Sequence, residues 1–184
     1  MTKSAHPSVS AGPALTREPR AFSYLKPRLV TTEPPAIDIG GKAVLGAKAN
    51  DYVPALARAL VDHTIAMHNK RALDSGNRQP IQLSVLNRRR RAARAWIQAV
   101  LSGGVDLPTQ HAVATQWLPT LAGHGREPEL VLRTMRSCIE FLRGAIVGVL
   151  FDEPADNLLG HARALHVLET VLAVHLAAAQ EALQ

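Results

Sequence analysis

Apolar residues recur at helical spacing from residue 51 to the end of this chain, and only sparsely before it. Asp51 reads as the N-cap of a helix running to about Lys70, with Pro54 in its first turn and Leu56, Leu60, Ile65 and Met67 as its stripe. Residues 74–79 (DSGNRQ) read as a loop. Pro80 then opens a second helix with Leu83, Leu86, Trp96, Ile97 and Leu101 on its stripe, and Gly103-Gly104 stop it. Asp106 caps a third helix carrying Val113, Trp117, Leu118 and Leu121. Pro119 inside that helix predicts a kink or two short pieces. Gly123 and Gly125 end it, and Pro128 starts a fourth helix that reaches about Phe151. That helix is apolar over a wide arc, with Arg133, Arg136, Glu140 and Arg143 along one face, so neighbours are expected on several sides. Residues 152–156 form a loop. A last helix reaches Gln184 with Leu159, Ala162, Leu165, Leu168, Leu172 and Leu176 inward. No stretch alternates as a strand does, so the fold class is all-α.

Residues 1–50 follow another rule. They hold six of the twelve prolines, and Pro34-Pro35, Gly40-Gly41 and Gly46 break any long element. They also hold Phe22 and Tyr24, two of the seven aromatics. A purely solvating tail has little use for aromatics, whereas a segment that lies on another protein does. The expected organisation is an extended or disordered arm, 1–50, and a helical domain, 51–184. Phe22, Tyr24 and Leu25 are the candidate docking anchors, with Lys26 and Arg28 meeting an acidic rim.

Charge sharpens this division. Of the formal net charge of +6, the arm contributes seven Lys/Arg against three Asp/Glu, and the body fourteen against twelve. Arg88–Arg91 form the dense basic run, and Arg88, Arg89 and Arg91 are candidate partner-binding residues. Successive helical residues turn by about 100°, so four arginines in a row cover the whole circumference, and at least one must pack near the core edge or find an acidic partner. Such a spread favours protein contact or solvation over nucleic-acid recognition. The single Cys138 excludes an internal disulfide and reads as a small buried hydrophobe. The N-terminus shows no apolar signal region, and the longest apolar run, 144–151, is far short of a membrane span, so a cytoplasmic location is expected.

Candidate chemistry is sparse. His63 and His68, like His161 and His166, are five residues apart, about 140° around a helix, where two ligands on one helix want three or four residues. Ser84 and Ser137 have no base at recognisable spacing. No metal site and no catalytic residue are expected, so the chain is not read as an enzyme.

The segment 96–106 (WIQAVLSGGVD), a short helix, the turn 125–128 (GREP) and a long apolar helix together resemble the sensor globins: globin-coupled sensors, protoglobins and the non-haem globin domains of stressosome proteins. Residues 162–176 (ARALHVLETVLAVHL) are similar to their final helix. The resemblance spans about residues 80–184 and implies a globin-like helical bundle. In haem-binding members a proximal histidine precedes the glycine-proline turn. Here that register falls on Thr120 or Leu121, and His124 lies in the turn itself. The resemblance therefore implies the haem-free branch, in which the globin is a protein-interaction module.

The expected function is a non-catalytic interaction or assembly subunit, bound to a protein partner or to further copies of itself through body and arm. Two alternatives are a sensor of haem or another hydrophobic ligand, with His124 as candidate haem ligand, and a basic nucleic-acid-binding regulator.

Overall fold

The computed structural model describes residues 38–47, 49–74, 76, 81–122, 127–152 and 158–184. Phe22, Tyr24, Leu25, Lys26, Arg28 and His124 lie outside them. Among the described residues there are helices and no strand. They are α1 (Ile39–Ala47), α2 (Ala49–Asp74), α3 (Leu83–Leu101), α4 (Leu107–Ala112), a π-helical segment (Val113–Trp117), α5 (Leu118–Ala122), α6 (Pro128–Phe151) and α7 (Leu158–Ala182).

The helical body begins earlier than the pattern suggested. Gly40, Gly41 and Gly46 do not break the chain but lie inside α1, which packs across α7 and buries Leu45 completely. The reason is close approach. A Cβ at Gly41 would stand 2.5 Å from the Arg163 carbonyl oxygen and 2.6 Å from its carbon. Only glycine lets the two backbones come so near. Asp38 holds the start of α1: its Oδ1 accepts from the N–H groups of Gly40 (2.8 Å) and Gly41 (3.1 Å), and its other oxygen lies 3.4 Å from Arg163 Nε.

Other boundaries shift for similar local reasons. α2 starts at Ala49, so Asp51 sits in the first turn rather than at the cap, where it still faces the positive end of the helix dipole. α3 starts at Leu83, an exposed residue, after Gln82. Its end matches expectation. Gly103 takes φ +70°, its N–H donates to the Val100 carbonyl (3.0 Å), and the Gly104 N–H donates to Ala99 (2.9 Å). This is the double hydrogen bond of a Schellman stop. Asp106 caps α4, accepting from Thr109 N–H at 2.8 Å. That bond is the main reason its carboxyl sits below the usual range.

Pro119 divides the next stretch into three pieces. A proline ring clashes with the carbonyl four residues back in an α-helix. Here the turn before it widens to π geometry, with Leu118 N–H reaching the Val113 carbonyl, and the α-helix resumes at Leu118.

α6 packs against α2, α5 and α7, with Val131, Met135, Cys138, Leu142, Ile146 and Leu150 buried. Its face of Arg133, Arg136, Glu140, Arg143 and Gly144 stays exposed, and Arg143 pairs there with Glu169 of α7. The inward face of α7 differs from the leucine stripe. Leu159 and Ala162 are exposed, Leu165 and Leu176 half-buried. The buried face runs through Gly160, His161, Ala164, Leu168, Leu172, His175 and Ala179. Small residues win because α1, α3 and α4 cross this helix closely. By length and composition α7 is apolar enough to cross a membrane, and in this fold it packs against α1, α3, α4 and α6.

Candidate functional site

Two polar arrangements lie at opposite ends of α3. The helix buries Arg89, Ala92, Ala93, Trp96, Ile97, Val100 and Leu101, a continuous helical stripe. Arg89 is therefore carried inward by periodicity alone.

At the C-terminal end Trp96 and His175 are tied together, while the buried Trp117 Nε1 beside them has no partner. Trp96 Nε1–H donates to His175 Nδ1 at 2.9 Å, and His175 Nε2 lies 2.9 Å from the Gly104 carbonyl. The indole can only donate, so Nδ1 is bare and Nε2 carries the proton given to Gly104. Burial pushes the imidazole down to about 4, against the opposing pull of Gly104 and Asp106. His175 is thus neutral near neutrality and ties α7 to α3 and to the glycine stop. Trp117 stacks on Trp96 with ring centroids 5.1 Å apart.

At the N-terminal end the arrangement is open. Arg89 is 8% exposed, and its Nε has no hydrogen-bond partner. Desolvation lowers its pKa. It borders a cavity of about 10 Å³ with Thr64, Met67, Arg71, Thr120 and Thr134. Arg71 donates to Thr134 Oγ1 at 3.1 Å, whereas Thr64 and Thr120 donate to their own helices, to the Val61 and Trp117 carbonyls. Cys138 supplies no counter-charge, because burial pushes its thiol up to about 12 despite the pull of Arg89 and Arg71. Among the described residues no ion pair reaches Arg89.

Thr120 also forms part of the wall of an open groove of about 490 Å³ on the outer side. Arg88, Arg91, Thr115 and Gln116 line it over Ala92 and Pro119. Of the arginines singled out in the sequence, Arg88 and Arg91 share this groove, while Arg89 stands behind Thr120. Neither wall, residues 83–101 or 107–122, contains an Asp or Glu.

A third pairing escaped the sequence because its members come from different helices. His63 Nε2 and Ser137 Oγ share a hydrogen bond of 3.1 Å, and His63 stacks on Phe141 at 4.6 Å. Ser137 sits in the middle of α6, where backbone N–H groups are already engaged in the helix and cannot form an oxyanion hole. The pair clips α2 to α6. Among the described residues no three His, Cys, Asp or Glu side chains converge as metal ligands.

An apolar corner completes the surface. Phe151, Leu158 and Leu159 are 49%, 64% and 66% exposed where α6 ends and α7 begins, and Ile39 is exposed at the start of α1. Asp38, where residues 1–37 join the body, pairs with Arg163 one turn beyond Leu159.

The Trp96–Trp117 stack leaves a space of about 30 Å³ beside it. Thr120 spends its proton on the Trp117 carbonyl, and Leu121 has no ligating atom. Compared with protein-family models, with curated proteins and with solved structures, the chain matches none.

Proposed function

We propose that this protein is a non-catalytic interaction module, globin-like in its helical arrangement, that docks on a larger protein assembly through its body and its N-terminal arm. One observation carries the reading: the exposed apolar corner of Phe151, Leu158 and Leu159 lies beside the point where the arm joins the body. Exposed leucines in adjacent positions are costly to leave in water, each full burial being favourable by about 1.5–3 kcal/mol. The arm carries Phe22, Tyr24 and Leu25, with Lys26 and Arg28, and is joined to the body at Asp38, which pairs with Arg163. Two contacts from one side raise avidity without any chemistry.

The test is the size of the native complex. Tagged full-length chain, produced at its natural level in its own host, is expected to elute well above its 19.8 kDa monomer mass. Leu158→Glu with Leu159→Glu, or removal of residues 1–32, should return it to monomer size while helicity is kept. Elution of the unmodified chain as a monomer would sink the reading.

A further inference from the structure

We propose that the groove between α3 and the π-helical segment with α5 binds a phosphorylated small molecule, held by Arg88 and Arg91 with Arg89 behind them. Four features of the molecule lead there. The guanidinium groups form a fork of N–H donors that matches phosphate oxygens two at a time, which a point charge does not. The groove is rich in donors and has no carboxylate in either wall, so the arginines are not spent on internal pairs. Its volume of about 490 Å³ exceeds what a bare oxyanion fills and falls in the range of small-molecule sites. Thr115, Thr120 and Gln116 offer neutral polar contacts, and Pro119 gives an apolar surface for the organic part.

Arg89 is the independent observation. A buried guanidinium with an unpaired Nε destabilises a fold unless something compensates it. Thr120, common to the inner cavity and the groove, separates it from the groove. An anion seated on Arg88 and Arg91 would feel that charge through a dry wall, where screening is weak. Unpaired nucleic-acid bases suit the groove less well, because among the described residues no aromatic ring lines it as a stacking platform.

The experiment uses the full chain and calorimetric titration with sodium pyrophosphate and with fructose 1,6-bisphosphate, at ionic strength held constant with sodium chloride. At least one of the two is expected to bind with a submillimolar midpoint. Arg88→Gln with Arg91→Gln should weaken it at least tenfold; both side chains are exposed, so folding is kept. Arg94→Gln removes the same charge from the same helix outside the groove and should leave binding within twofold. Equal weakening by Arg94→Gln would reduce the effect to general charge attraction and overturn the site. So would the absence of binding by both probes, or competition by sulfate at equal strength. Duplex DNA binding more tightly than either probe through Arg88 and Arg91 would replace the proposal with a nucleic-acid one. None of these outcomes touches the apolar corner.

Discussion

Acid should loosen this fold through one residue, His175. Its imidazole is pushed down to about 4 in the folded protein, from about 6.5 in an unfolded chain. Between those values the unfolded state binds a proton that the folded state refuses. Stability therefore falls as pH falls, by about 1.4 kcal/mol per pH unit within the window, and levels off below it. Across the window the loss is about 3 kcal/mol, a large part of a small domain's total. His175→Gln isolates the effect, since a glutamine oxygen can accept from Trp96 and its amide can donate to Gly104 without titrating. The assay is urea unfolding followed by far-ultraviolet circular dichroism at about pH 7, 5.5 and 4. Unmodified protein should be the more stable at the top of the range, by about 1 kcal/mol for its better-fitted ring. Its advantage should vanish and reverse toward pH 4. The other histidines are present in both proteins and cancel in the difference. Parallel pH slopes would refute the reasoning, as would a nuclear magnetic resonance titration placing the His175 imidazole near its ordinary value.

Gly41→Ala should cost about 1–3 kcal/mol, because the new methyl meets the Arg163 backbone at 2.5 Å and α1 must move off α7. Gly144→Ala, which meets nothing within 4 Å on an exposed helical turn, should instead stabilise by about 0.5–1 kcal/mol, and thermal melts of the pair check both signs. Arg89→Met should raise the stability of the ligand-free protein by about 1 kcal/mol, since it replaces a guanidinium whose Nε is buried without a partner with an apolar chain of similar length. A loss of stability in chemical denaturation would show that Arg89 is compensated in the free protein.

The sequence was most legible where one local rule decides the outcome. Proline at the first position of α6, the Gly103-Gly104 stop and the Asp106 cap each depend on a few adjacent residues, and each stands where the pattern put it. Reading failed where contact between distant segments decides. Gly40, Gly41 and Gly46 look like breakers, yet they belong to a helix because α7 lies against them. Of the α7 residues expected inward, Leu168 and Leu172 are buried, but Gly160, Ala164 and Ala179 share that face where other helices cross, and His175 is buried there with two partners. The site was half legible. Helical periodicity requires one of Arg88–Arg91 to turn inward, and Arg89 does. That Thr120 would join it to an outer groove depends on how α5 resumes after the π turn, which no local pattern encodes.

The two stretches of α3 differ in charge: the buried polar groups around Trp96 are neutral, whereas the one at Arg89 is ionised, and that argues for a role at the Arg89 end. Around Trp96 the indole donates to the imidazole and the imidazole to the carbonyl presented by the glycine stop, while the neutral Trp117 Nε1 beside them is buried without a partner. Seven residues earlier on the same stripe a permanently charged group is carried into the interior, its Nε left without a partner. A methionine or leucine would continue the stripe at lower cost, since an unpaired buried charge works against folding. The neighbours do not neutralise it: the nearby thiol stays protonated, two threonines give their protons to their own helices, and both groove walls lack acids. The positive charge is thus held in place by packing and waits for a counter-charge from outside. A bound anion at free concentration L would strengthen the fold by RT ln(1 + L/Kd), increasingly as L rises above Kd. Ligand binding at this end and the stability of the fold are then linked.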